Sequence, residues 1–167
     1  MMYLALTCRC LIGVVFAVSA FSKVRSAAAF RDFSAWLGRL PLPAVRGRGA
    51  AAVMAGTEVV IVVALLLPWT AQAGLALAAV TLAAFAGGTA VAVRRGVQAP
   101  CQCFGTSSRP LGFRHASRDL LLCAAAAAGA ASGGAAARPV AVVLCLAAGL
   151  IAAALVVFLD DITALFA

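Results

Sequence analysis

Residues 50–93 read AAAVMAGTEVVIVVALLLPWTAQAGLALAAVTLAAFAGGTAVAV, an apolar run in which Glu58 is the single charged side chain. A helix needs about 20 apolar residues to cross about 30 Å of hydrocarbon. The run therefore holds two spans, 50–69 and 70–93, joined by a turn around Trp69 and Gln72. Working outward, the same count finds further spans at 3–21, 120–137 and 139–159. The whole composition agrees, with 65% hydrophobic residues, 11% charged residues and a mean hydropathy of +1.11. Soluble domains use roughly half apolar and about a quarter charged residues. The expectation is an all-α, polytopic integral membrane bundle of about five transmembrane helices, forming one domain over residues 1–167.

Two of these spans admit a second description. The short apolar run that ends in Val18-Ser19-Ala20 has the look of a signal peptide with its cleavage site. Its apolar stretch starts at Tyr3, ahead of the lone Arg9, and nothing downstream resembles a secreted domain, so a retained helix is expected. Residues 120–137 are small rather than greasy. There Gly129-Ala130-Ala131-Ser132-Gly133 supplies the small-xxx-small spacing that lets two helix backbones approach closely.

Charge placement sets an expected orientation, because Lys and Arg in short loops favour the cytoplasmic side. The loop after the first span carries Lys23, Arg25, Arg31, Arg39, Arg46 and Arg48, and the loop after the third carries Arg94, Arg95, Arg109, Arg114 and Arg118. The intervening turn has none, and the turn before the last span has only Arg138. This predicts the N-terminus outside, the C-terminus inside and the loop around residue 101 cytoplasmic, in a multi-pass plasma-membrane protein. The net charge of +8 is then an orientation and anionic-lipid signal rather than a nucleic-acid one. Within the first loop, Phe30, Phe33, Trp36, Leu37 and Leu40 recur every three or four residues between Arg31, Asp32 and Arg39. That pattern predicts a short interfacial amphipathic helix near 27–40 lying flat on the membrane, stopped by Pro41-Leu42-Pro43.

Chemistry has to come from a few polar and sulfur groups. Cys101-Gln102-Cys103-Phe104-Gly105 places two thiols two residues apart, framed by Pro100 and Gly105, which shape a tight loop. In an extended segment such side chains point the same way, with Cα atoms near the upper limit of about 6.8 Å for a disulfide. A bridge there needs a turn and some strain, and strain makes a disulfide more oxidising, which suits an exchange pair. Neighbouring Arg94, Arg95, Arg109 and Arg114 favour the nucleophilic thiolate, and His115, the only histidine, can do the same or accept a proton. Two other readings stay open: a soft-metal site with His115 and Cys123 as the further ligands, or inert thiols. No motif calls for a cofactor.

The remaining cysteines group by face. Cys8, Cys10 and Cys145 lie near the predicted outer end, while Cys123 opens the fourth span beside the Cys101/Cys103 loop, a layout suited to passing reducing equivalents across the membrane. A buried cysteine also serves simply as a small apolar residue. Glu58 lies roughly two turns inside its span, a costly depth for an ionisable group. Lys23 is its expected partner, in a structural or proton-transfer role. Arg9 is expected to snorkel outward.

Taken together, Phe21-Ser22-Lys23, the stretch from Phe30 to Pro43, Gly56-Thr57-Glu58, Cys101-Gln102-Cys103-Phe104-Gly105 and Arg118-Asp119-Leu120 resemble the MauE family of methylamine-utilisation membrane proteins. That family is similar to the DoxX group of small helical-bundle membrane proteins. The resemblance spans roughly residues 4–160. It implies a four-helix core with an additional helix, and a role in forming or exchanging disulfides during maturation of an exported enzyme, alongside a thioredoxin-like partner. Cys101 and Cys103 are then the catalytic pair, with Lys23, Glu58 and Arg118 as matched accessory positions. An oxidising role implies active thiols outside, whereas the arginine count puts them inside, where a cytosolic thioredoxin would supply reducing equivalents. The competing expectation is a non-enzymatic DoxX-like scaffold or small-molecule carrier, with Glu58 lining a cavity.

Overall fold

The computed structural model describes residues 2–39, 47–97, 112–132 and 143–155. All regular structure among them is helical: α1 (Met2–Val24), α2 (Ala27–Arg39), α3 (Arg48–Leu66), α4 (Ala71–Arg94), α5 (Phe113–Ala131) and α6 (Val143–Leu155). Three of these, α1, α3 and α4, are long and apolar enough to cross a membrane. α4 packs along α5, α1 packs between α3 and α5, and α2 sits on α1 and α3.

Each helix contributes a seam at three- and four-residue spacing. Ile12, Val15, Phe16, Ser19 and Lys23 form it on α1; Ala51, Ala55, Glu58, Ile61 and Leu65 form it on α3. α4 adds Leu75, Ala78, Leu82, Ala86 and Thr89, and α5 adds His115, Asp119, Leu122, Ala126 and Gly129. The outward faces carry exposed Val53, Val60, Leu66, Val80 and Leu121, which is where a bilayer leaves apolar side chains uncovered by protein.

The helix ends follow local chemistry. Leu67 is extended (φ −90°, ψ 128°) because the residue before a proline is pushed out of the α region, so α3 stops at Leu66, short of the expected 69. α4 ends in a Schellman motif: the Gly96 N–H donates to the Val93 carbonyl at 3.0 Å and the Val97 N–H to the Ala92 carbonyl at 3.1 Å, with Gly96 at φ 70°. Ser26 caps α2, its Oγ accepting from the Ala29 N–H at 3.1 Å.

Two expectations are corrected. α5 begins at Phe113, not near 120, because its first turns carry Arg114, His115, Arg118 and Asp119, which an apolar count rejects although the last three are buried. α2 forms where expected, but Phe33, Trp36 and Leu37 face the bundle, so its apolar stripe meets protein rather than lipid. Arg9 reaches the closing turn of α3. Its Nε donates to the Leu65 carbonyl at 2.5 Å and its Nη2 to the Leu66 carbonyl at 3.0 Å, while Thr70 Oγ1 donates to the Ala64 carbonyl at 2.8 Å. The orphan carbonyls closing α3 are thereby satisfied, and a cation sits at the negative end of the helix dipole.

Candidate functional site

The antiparallel course of α1, α3, α4 and α5 brings the end of α1, the start of α3, the end of α4 and the start of α5 to one end of the bundle. Lys23, the chain's only lysine, is 3% exposed there and Glu58, its only glutamate, is 0% exposed. Lys23 Nζ donates to Glu58 Oε1 at 2.9 Å, to Glu58 Oε2 at 3.0 Å and to Ser19 Oγ at 2.6 Å. Ser19 Oγ in turn donates to Glu58 Oε1 at 3.0 Å. An ammonium has three donors on a compact centre, and here oxygens of Glu58 and Ser19 surround it; a planar guanidinium does not reproduce that arrangement. The same Nζ lies 5.1 Å from the centroid of the Phe33 ring, within cation–π range. Phe33 stacks on Trp36 at 6.2 Å between centroids. One ammonium therefore ties α1 to α3 and to α2.

The expected pairing of Lys23 with Glu58 is present. Glu58 is fully buried on its seam of α3. His115, Arg118 and Asp119 are buried at the start of α5, with Arg118 Nε 3.8 Å from Asp119 Oδ1, and none of the three lacks a partner. Thr89 is buried on the neighbouring seam of α4. Ser19 and Asp119 are site residues that the sequence reading passed over. The signal was helical spacing: Ser19 lies four residues before Lys23, and Asp119 four after His115 on the same seam.

Among the thiols of the described residues, Cys123 departs from the expected layout. Cys101 and Cys103 lie outside the described residues, in the segment joining α4 to α5. Cys8, Cys10, Cys123 and Cys145 are free. Cys123 does not open a helix: it follows Phe113 by roughly 15 Å of α5, and its Sγ–H donates to the Ala79 carbonyl at 3.3 Å. His115 and Cys123 stand roughly 12 Å apart along α5, too far to share one ion at metal–ligand bonds of about 2.0–2.3 Å. Among the described residues no group of three or more His, Cys, Asp or Glu could hold a metal. Cys8 faces Gly129 of α5, whereas Cys10 faces Gly149 of α6 and its Sγ–H donates to the Leu146 carbonyl at 3.4 Å. Cys8 and Cys10 thus serve two different helix contacts.

With the bundle and its polar end described, similarity to known proteins adds a decisive observation. The family model for methylamine utilisation protein MauE matches residues 1–132. The chain belongs to the MauE family. The match takes in α1 to α5, the Lys23–Glu58 pair and the Cys101/Cys103 segment, and it stops at the end of α5, before α6. Neither a curated protein nor a solved structure matches the chain. Family membership and the apolar helices together make it a membrane protein of this family.

Proposed function

We propose that this MauE-family chain is a membrane thiol–disulfide redox protein that supports disulfide formation or exchange in the maturation of an exported enzyme, of the methylamine-utilisation type. The observation that carries the reading is the Cys101-Gln102-Cys103 pair within the family-matched region, in the segment that connects α4 to α5. That segment leaves and re-enters the bundle at the end where Lys23, Glu58, His115, Arg118 and Asp119 are buried. In the proposed step, one of Cys101 or Cys103 attacks the disulfide of a thioredoxin-like partner as the thiolate, forming a mixed disulfide and releasing one partner thiol. The other cysteine attacks that mixed disulfide, leaving a Cys101–Cys103 disulfide and a fully reduced partner. Two electrons and the matching protons pass to the partner, and run in reverse the step reduces Cys101 and Cys103 again.

Lys23, Glu58 and Ser19 hold α1, α2 and α3 in register at the end of the bundle where α4 closes, and Arg118 and His115 lie in the first turns of the helix that follows the segment. Cys123 lies deep in α5, so its part is packing. The excess of arginine at this end favours a cytoplasmic loop in the plasma membrane, with a cytosolic thioredoxin-like protein as partner. Single variants test the step. Cys101→Ser or Cys103→Ser should leave a mixed disulfide that is caught on a non-reducing gel and collapses on reduction, and Cys123→Ser should not. Failure of both single variants to capture any partner, with the protein folded in the membrane, would refute the exchange.

A further inference from the structure

Besides Arg95, six arginines, Arg25 on the exit from α1, Arg31 and Arg39 on α2, Arg48 opening α3, Arg94 closing α4 and Arg114 in the first turn of α5, are exposed at the same end of the bundle. Among the described residues none of the six forms an ion pair, and the only exposed acidic side chain at that end is Asp32. At the opposite end the one arginine among the described residues, Arg9, is turned onto the α3 carbonyls. The depth of the basic rim is marked independently. Phe21 lies one turn before Arg25 and is 67% exposed, and Phe113 adjoins Arg114 and is 59% exposed. An exposed apolar ring beside a cationic head fits the boundary at which acyl chains give way to headgroups. The rim therefore stands where lipid headgroups lie.

We infer that this arginine rim is a binding surface for anionic phospholipid headgroups. Guanidinium groups bind phosphate through paired N–H donors, and among the described residues these six form no ion pair. Because α2 turns its apolar face into the bundle, Arg31 and Arg39 are left to contact the headgroups that a flat amphipathic helix would have met with its apolar stripe. Docked lipid would brace α2 from outside as the Lys23–Phe33 contact braces it from inside. This inference stands whether or not Cys101 and Cys103 exchange disulfides.

The test uses the full chain in mild detergent, offered an equimolar mixture of phosphatidylglycerol and phosphatidylcholine, with retained lipid read by native mass spectrometry. The expected result is a preference for phosphatidylglycerol of roughly tenfold or more, since each basic side chain near an anionic surface adds severalfold. The variant Arg25→Gln/Arg31→Gln/Arg48→Gln/Arg114→Gln should lose most of it while keeping wild-type helical circular dichroism. If that variant does not fold, sodium chloride raised to about 1 M on the wild type should remove the preference through screening. Equal retention of both lipids by the wild type, or an undiminished preference in the folded variant or at high salt, would overturn the inference. So would displacement of the lipid by inorganic phosphate beyond that by sodium chloride of equal ionic strength, which would mark a site for a soluble anion instead.

Discussion

At one end of the bundle four helices meet through Ser19, Lys23, Glu58, Thr89, His115, Arg118 and Asp119, all buried; at the other, the same helices meet through Cys8, Ala71, Gly74 and Gly129. The first end is joined by charge and hydrogen bonds, the second by close approach of small residues. A Cβ on Gly129 would come within 2.8 Å of Cys8 Cβ, and one on Gly149 within 2.7 Å of Cys10 Cβ. The difference teaches how a chain with few polar residues distributes them. Lipid tails supply no hydrophobic drive between helices, so association relies on packing and on polar links. The small-residue end relies on space, with Arg9 and Thr70 closing α3 by hydrogen bonds, whereas the polar end concentrates nearly every buried polar group among the described residues.

The comparison can be broken from the polar end first. Lys23→Met leaves Glu58 buried without its cation and should cost about 3–5 kcal/mol of stability in a denaturant titration in mixed micelles. Adding Glu58→Leu to it should recover much of that loss, because two apolar groups of similar volume leave no charge uncompensated. A loss under about 1 kcal/mol in the single variant would show that the pair is not what holds this end. Lys23→Arg should also destabilise, since a guanidinium fork does not fit the compact seat formed by Glu58 and Ser19.

The small-residue end should respond to volume instead. Gly149→Val pushes a side chain into Cys10 Cβ and the Thr7 carbonyl, 3.0 Å from a Cβ there, and should cost about 1–3 kcal/mol by overpacking. Arg9→Gln, which removes a charged donor from the last carbonyls of α3, should cost about 1–2 kcal/mol and fray that helix end in hydrogen exchange. The smallest effect belongs to Phe33→Leu, which keeps an apolar contact but deletes the ring under Lys23. About 0.5–1 kcal/mol is expected, and it should vanish in a Lys23→Met background if the cation–π contact is its cause.

Much of this was legible in the residues. Uninterrupted apolar length located α1, α3 and α4 within about three residues at either end, and the single Lys and single Glu at membrane depth announced their pairing. What was hidden has one physical origin. Hydropathy treats every charged side chain as seeking water, yet His115, Arg118 and Asp119 are buried in the bundle and Arg9 finds helix carbonyls. α5 therefore began two turns earlier than the apolar count allowed, and the carbonyl partners of Arg9 were not legible. Amphipathicity likewise located α2 but did not say whether its apolar stripe meets lipid or protein. Cys123 was placed at a helix start only because the start of α5 was misplaced.

The most direct measurement for the proposed chemistry is the redox state of the Cys101/Cys103 peptide in growing cells, taken by acid quench, alkylation of free thiols, reduction and a second mass tag. The account predicts a partly oxidised pair whose oxidised fraction shifts when the cell's thioredoxin system is disabled. A pair that stays fully reduced under both conditions would contradict it.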